Sequence, residues 1–588
     1  MARARVAEQG RRILLNLKGS DMARRSVLAL VAASAATGIS VCGAQAANAG
    51  AYHRTHPQRT HQRWKRAHDG ASASATPIRH LVVIFQENVS FDHYFGTYPD
   101  AANPSGEPAF HAAPGTPTIN GLSGPLLTNN PNGANPQRLD RSQALTCDQN
   151  HGYTAEQQAY DMGLMDKFIP FTDVESCSPP DTTAPNLVLD YYDGNTVTGL
   201  WNYAQHFALS DNSYSTNFGP STPGAINVSG GNTLGTICGP ATATINDAPC
   251  AGTIGAPTNT APGASQPQGP GTLYGDADPY WDVCSGAQQD KHTVDQTIQF
   301  GGANIGDLLD RAGATWGWFQ GGFASPGYRP GRTGTDDLSA VCTGAHTNIG
   351  GASQLDYNPH HEPFQYYAST ANPQHLPPTS IAMIGRQDQA NHQYDLRDFW
   401  AAADHGNLPQ VSYLKAPDYE DGHAGYSDPL DEQRFLVSTI NGLQRLPSWR
   451  DTAVVIAYDD SDGWYDHQMG PIITQSQTPL DALSGPGMCG SNPELVPAGQ
   501  QGRCGVGPRQ PLLVVSPFAK ANYVDGTFTD QASVLRFIED NWLGGERIGG
   551  GSADAEAGTL DHMFSWHARG NRRLFLDPST GEPTYGGH

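Results

Sequence analysis

His80-Leu81-Val82-Val83-Ile84-Phe85-Gln86-Glu87-Asn88 is a continuous apolar run that ends abruptly in polar and acidic residues. A run this short and apolar at every position predicts a strand covered on both faces, because a strand with one wet face would alternate. Residues 453–458 and 512–515 share the pattern, and Val411-Ser412-Tyr413-Leu414 is the fourth candidate strand. The first of these ends in Asp459-Asp460 and the second at Ser516-Pro517. Helical spacing lies between them. It runs over 304–312 through Ile305, Leu308 and Leu309, and over 430–446 through Phe435, Leu436, Ile440 and Leu443. It returns over 533–542 through Val534, Leu535, Phe537, Ile538 and Trp542. Strands alternating with helices predict an α/β fold with a mostly parallel central sheet covered on both faces. Residues 101–147 and the Gly/Pro/Thr-rich stretch 239–275 read as loop insertions.

The chain has 588 residues, 38% hydrophobic and 9% aromatic, enough for a large core. Its 67 glycines and 44 prolines predict many ordered loops. A formal net charge of −23 excludes nucleic acid as a partner, because a phosphate backbone selects a basic face. Small phosphate substrates remain open, since a bound cation reverses the local field.

Arg24-Arg25 precede an Ala-rich apolar run from Val27 to Val41, and Ala44-Gln45-Ala46 offers a small-x-small cleavage site. The run falls short of the ~20 residues of a spanning helix. Residues 1–46 therefore read as a cleaved signal peptide rather than a membrane anchor, with Met22 an alternative start. The product is exported, periplasmic or secreted, and the paired arginines admit a twin-arginine route. Residues 47–76 read as a flexible leader and 77–588 as one domain. Beyond the signal stand Cys147, Cys177, Cys238, Cys250, Cys284, Cys342, Cys489 and Cys504. An even count in an exported chain predicts disulfides, and pairing each with its neighbour is the simplest map.

Glu87 with Asn88, and Asp459 with Asp460, each close a buried strand. Ligand sites in open α/β sheets form at this edge. Turns favour Asp and Asn on their own account, but two such pairs on two buried strands predict an oxygen cage for one divalent metal ion. Ca²⁺, Mg²⁺ and Mn²⁺ suit it best, and Zn²⁺ stays open. Asn217-Phe218-Gly219-Pro220-Ser221-Thr222-Pro223-Gly224 fixes a sharp turn around one hydroxyl. Alone it reads as an ordinary turn; beside a cation, Ser221 becomes a nucleophile. Pro223 occupies the place of the closing glycine, so this is not the G-x-S-x-G elbow. His151, His423 and His467 lie in Asp- and Gly-rich loops near the strand ends.

The run Glu87-Asn88-Val89-Ser90-Phe91-Asp92-His93-Tyr94-Phe95-Gly96 resembles the opening signature of the bacterial phosphoesterase family, which contains secreted acid phosphatases and phospholipases C. The resemblance continues through 217–224, Val411-Ser412-Tyr413-Leu414-Lys415-Ala416-Pro417 with Gly422-His423, 459–467, and Leu513-Val514-Val515-Ser516-Pro517-Phe518-Ala519. It covers residues 77–545, in family order. It implies an alkaline-phosphatase-like three-layer α/β/α sandwich. It implies that Glu87, Asn88, Asp459 and Asp460 hold the metal and that Ser221 touches it and carries the phosphoryl group. His151, His423 and His467 would then surround the phosphate as donors or as the general acid. Protonated histidines in that role predict activity at acidic to neutral pH.

One departure is the segment Asp525-Gly526-Thr527-Phe528-Thr529-Asp530-Gln531. Family members often carry histidine there, so no catalytic role is expected of it in this chain. The larger phospholipases C of the family carry C-terminal β-domains, for which this sequence leaves no room. That weights the expectation towards an acid phosphatase acting on small phosphate monoesters, with phospholipase C acting on a phospholipid head group as the alternative. Trp316-Gly317-Trp318-Phe319 is read as a packed strand, although a cation–π cage for choline is the other use of such a cluster. A sulfatase is disfavoured because 221–225 lacks the arginine of a C/S-x-P-x-R motif. An exported binding protein on the same fold is the non-enzyme alternative. Oligomeric state is not legible.

Overall fold

Strand β1 (His80–Gln86) runs through the interior of an eight-stranded sheet, and six of its seven residues are buried. In chain order the other strands are β2 (Ala208–Ser210), β3 (Trp316–Gln320), β4 (Gln393–Asp395), β5 (Val411–Lys415), β6 (Thr452–Tyr458), β7 (Leu512–Val515) and β8 (Tyr523–Asp525). Their spatial order is β4-β3-β5-β1-β6-β7-β2-β8. β7 runs antiparallel to both its neighbours, and every other pairing is parallel. This computed structural model describes residues 73–173, 186–238, 254–255, 271–285, 297–333, 340–476, 480–485, 487–489, 503–567 and 572–584.

Every residue of β3, β5, β6 and β7 is buried, which only a sheet covered on both faces allows. Helices supply the cover. Thr198–His206 packs with Pro429–Arg445, and Ile305–Ala312 packs with Ala532–Trp542. The architecture is the expected three-layer α/β/α sandwich. Its helices start where their caps dictate. Asn304 and Asp307 form a reciprocal capping box, and Asp428 accepts from the amides of Leu430 and Asp431 ahead of a proline in the first turn.

The aromatic run at 316–319 is a strand, as read from the sequence. Trp316, Trp318 and Phe319 are fully buried, and Trp318 stacks on Tyr413 at 5.7 Å, so the indoles are core rather than a cage. Part of the 239–275 insertion joins its flanks in a second sheet of Ile254–Gly255, Gly271–Leu273, Leu234–Cys238, Thr297–Phe300 and Asp278–Pro279. Disulfides join Cys284 to Cys342 and Cys489 to Cys504, two of the neighbour pairs. Cys147 is disulfide-bonded too, while Cys177 and Cys250 lie outside the described residues. The signal segment 1–46 and leader residues 47–72 also lie outside them. The end of the leader is tied down, since the Ala75 amide donates to the Asn541 carbonyl and Thr76 bonds the Asn541 side chain. No helix among the described residues is long and apolar enough to cross a membrane.

Leu513 lies on β7 between Ile456 and Leu209 and has no solvent exposure. Leu513→Ala should cost about 2–5 kcal/mol, because the packed sheet cannot close over the missing atoms. Urea denaturation checks this; an unchanged midpoint would contradict the placement of β7 in the core.

Candidate active site

The parallel pairing of β1 with β6 sets Gln86 opposite Tyr458, so Glu87-Asn88 and Asp459-Asp460 leave the sheet side by side. Asn88 turns the chain there with φ 57°, a left-handed conformation that asparagine tolerates better than most residues. Oδ1 of Asp459 then accepts two amides, that of Asn88 at 2.9 Å and that of Asp460 at 2.7 Å. The third component is the helix Ser221–Asn227, buried along its whole length, with Ser221 as its first residue. A Cβ on Gly224 would stand 2.2 Å from the Asp459 carbonyl oxygen. Only glycine lets this helix lie directly on the end of β6.

Ser221 Oγ consequently faces three oxygens: Oδ2 of Asp460 at 2.9 Å, Oε2 of Glu87 at 3.3 Å and Oδ1 of Asn88 at 3.4 Å. A hydroxyl has one proton, so it satisfies one of these by donation and meets the others lone pair to lone pair. Oδ2 of Asp459 is buried with no hydrogen-bond partner. Burial, and then repulsion from Asp459, pushes the carboxyls of both Glu87 and Asp460 well above the usual range. Asp462 is raised as well, by burial and then by Asp148. Crowded, buried oxygens of this kind fit a hard divalent cation. Glu87, Asn88, Ser221, Asp459 and Asp460 are the residues that would hold it.

A lysine and three histidines flank the cage. Lys415, at the end of β5, lies 2.5 Å from Oε1 of Glu87. Burial would pull its ammonium down, but Glu87, Asp421 and Asp459 raise it above the usual lysine range. His361 Nε2 lies 3.4 Å from Oε2 of Glu87. The sequence analysis did not single out His361; its signal was the paired histidine in Asn358-Pro359-His360-His361, where the proline turn holds both rings buried. His151 Nδ1 lies 3.1 Å from Oδ1 of Asp462 and 2.9 Å from the Gln149 carbonyl oxygen. Burial would lower His151, but Asp460 and Asp462 raise it well above its ordinary value. His423 stacks on Tyr426 at 4.2 Å, and its ring stands 6.2 Å from that of His151.

His467 is the exception among the expected histidines. Its Nδ1 sits 2.6 Å from Oδ2 of Asp92 and its Nε2 3.1 Å from Oδ1 of Asn120, beside the buried Arg509. None of these is a partner of Ser221. The ring belongs to a brace in which Arg509 bonds Asp92 and Asp466 at 3.0 Å each. His93 of the opening signature is likewise structural, stacked on Trp464 at 3.8 Å and lowered to about 3 by burial.

Two further residues hold the parts in place. Oε1 of the buried Glu156 accepts the Ser461 hydroxyl at 2.8 Å, and its Oε2 accepts the Gly219 amide at 2.9 Å. It thereby ties the loop after Asp460 to the turn before Ser221. Gln531, in the segment without histidine, donates Nε2 to the carbonyl oxygens of Tyr458 and Asp459, while its Oε1 accepts from Asn227 at 2.9 Å. The one side-chain amide thus donates to the end of β6 and accepts from the Ser221 helix at once.

The profile of the phosphoesterase family matches residues 78–543, which include every component of this site. The chain belongs to the phosphoesterase family. Over 483 residues it is 23% identical to a non-hemolytic phospholipase C of Pseudomonas aeruginosa, covering 79% of this chain and 54% of that one. Over 139 residues it is 36% identical to a non-hemolytic phospholipase C of Burkholderia pseudomallei, covering 23% of this chain and 19% of the relative. A phospholipase C A of Mycobacterium tuberculosis is 29% identical over 147 residues, 24% of this chain and 26% of the relative. The chain thus spans about half, or less, of the relatives it matches.

Burial raises Glu156 from 4.5 to about 8 in the folded phosphoesterase, against the opposing pull of its two donors. The folded protein therefore holds a proton there that the unfolded chain has lost, and this contribution weakens as pH rises from about 4.5 to about 8. Glu156→Gln keeps the shape and has no proton to lose. Its melting temperature relative to the parent should rise across that window, and parallel pH–Tm curves for the two proteins would contradict the assignment.

Proposed function

We propose that this phosphoesterase is an exported, metal-dependent hydrolase of phosphoric esters in which Ser221 is the nucleophile. The carrying observation is the convergence of Glu87, Asn88 and Asp460 on the Ser221 hydroxyl at the C-terminal edge of the sheet. Among the described residues the partners of the Ser221 hydroxyl are Glu87, Asn88 and Asp460 rather than the histidine that acyl transfer would use, whereas phosphoryl transfer needs positioning and positive charge. A divalent cation held by Glu87, Asn88, Ser221, Asp459 and Asp460 would polarise the phosphoryl oxygens as a Lewis acid and lower the pKa of the hydroxyl.

The chain's own groups do the rest. Asp460 Oδ2, 2.9 Å from Ser221 Oγ, holds the hydroxyl in place, and the hydroxyl proton leaves to solvent as Oγ attacks phosphorus. The bond to the leaving oxygen breaks as the phosphoserine forms. With Nδ1 of His151 held by Gln149 and Asp462, Nε2 is the nitrogen that meets substrate. His151, His361 and His423 are placed to donate to phosphate oxygens and to protonate the leaving alkoxide. Water then cleaves the phosphoserine with the proton transfers reversed. His467, held in the Arg509 brace, takes no part in this reading. The disulfides fit an oxidising compartment.

For the substrate, each relative named above bears the name phospholipase C, which favours a phospholipid-type phosphodiester. The monoesterase expectation draws no support from them. The deciding assay runs p-nitrophenyl phosphorylcholine beside p-nitrophenyl phosphate, with and without chelator. Diester turnover should dominate, disappear with chelator, and fall at least about a thousandfold in Ser221→Ala. Preference for the monoester would return the assignment to an acid phosphatase with the same site. No turnover of either ester by metal-loaded protein would favour the binding-protein reading. Because Asp460 and Asp462 raise His151 well above its ordinary value, kcat/KM should hold through about pH 6.5, the ordinary histidine value, and decline only on the alkaline side of it. A profile that climbs steadily towards about pH 9 would remove His151 from its role as a cation.

A further inference from the structure

We propose that the ammonium of Lys415 is a resident cation standing where a second divalent ion would otherwise bind, so that the site takes a single metal ion. This rests on the metal-dependent reading above. Lys415 ends β5, next to β1 in the sheet, and its side chain is 1% exposed. It lies 2.5 Å from Oε1 of Glu87 and 3.6 Å from Oδ2 of Asp421. Glu87 therefore faces two ways. Its Oε2 addresses Ser221 and His361, and its Oε1 addresses Lys415. That is the stance of a carboxylate bridging two cations, and two-ion phosphoryl-transfer sites hold their ions about 3.5–4 Å apart.

The donors for a second ion are already in place. Glu87, Asp421 and His361 each offer a ligand atom, all within 4.8 Å of one another. Lys415 pairs with both carboxylates of this trio, and no other candidate metal cluster among the described residues contains a buried lysine partner. An ammonium on a strand end cannot leave in chelator and supplies one charge instead of two. A fully buried lysine is costly unless carboxylates surround it, and here they do. The arrangement keeps the Glu87 carboxyl aimed at the cage whether or not metal is present.

The test is the metal content of purified protein after loading with Mn²⁺ and desalting, measured by mass spectrometry of the metal. The parent should hold about one ion per chain and Lys415→Ala about two, since the truncation opens the space and leaves Glu87 and Asp421 without their cation. If Lys415→Ala misfolds without metal, folding by circular dichroism should be restored by Mn²⁺ and not by the same concentration of Na⁺. Two ions in the parent, one ion in the variant, or a variant that stays unfolded in Mn²⁺ would each overturn the proposal while leaving the metal-dependent reading in place. A parent that binds no ion at all overturns both.

Discussion

Every part of the site depends on the parallel pairing of β1 with β6. That register brings three carboxylates and one amide oxygen to one point, fully buried, where the repulsion between them is severe. Desolvation raises Glu87 and Asp460 and mutual repulsion raises them further. Such a cluster is stable only with compensating charge. The protein supplies part of that charge itself, through Lys415 beneath Glu87 and His151 against Asp462. The oxygens that converge on Ser221 are where a cation and a phosphate would be welcome.

Around this charged centre the scaffold works by close approach. Gly224 sets the Ser221 helix on the carbonyl of Asp459, Gln531 bridges the same strand end to the same helix, and Glu156 joins the turn before Ser221 to the loop after Asp460. Each contact links the hydroxyl to the carboxylates without passing through substrate. Phosphoryl transfer gains from exactly this kind of fixed geometry, because little covalent chemistry is asked of the protein beyond placing nucleophile and charge. The Arg509 brace anchors the far end of the 459–467 loop in a similar way, with Asp92, Asp466 and His467 around a fully buried guanidinium.

The long strands and helices were legible because burial on both faces leaves a pattern that local sequence records. β1, β6 and β7 read as apolar runs, β5 reads as one interrupted by Ser412, and the three longest helical patterns fell within a residue or two of their observed bounds. β2, β4 and β8, three residues each, were not legible, since three residues carry no period. The acidic strand ends and the serine turn were legible for the same reason as the strands, being attached to elements that the sequence announces.

The sequence by itself determined the α/β class and placed the acidic strand ends and the serine turn, proposed here as metal donors and nucleophile, all of which depend on residue type next to a strong local pattern. Only the tertiary structure decided which histidines meet them. His151 and His467 sit in similar Asp-rich loops, yet one faces Asp462 at the cage and the other is locked against Asp92 and Asn120. His361 and Lys415 come from elements 270 or more residues beyond Glu87, and loop closure over such distances leaves no local trace. The partner of a buried charge is chosen by the packing of the whole sheet, and that choice is not written in the residues beside it.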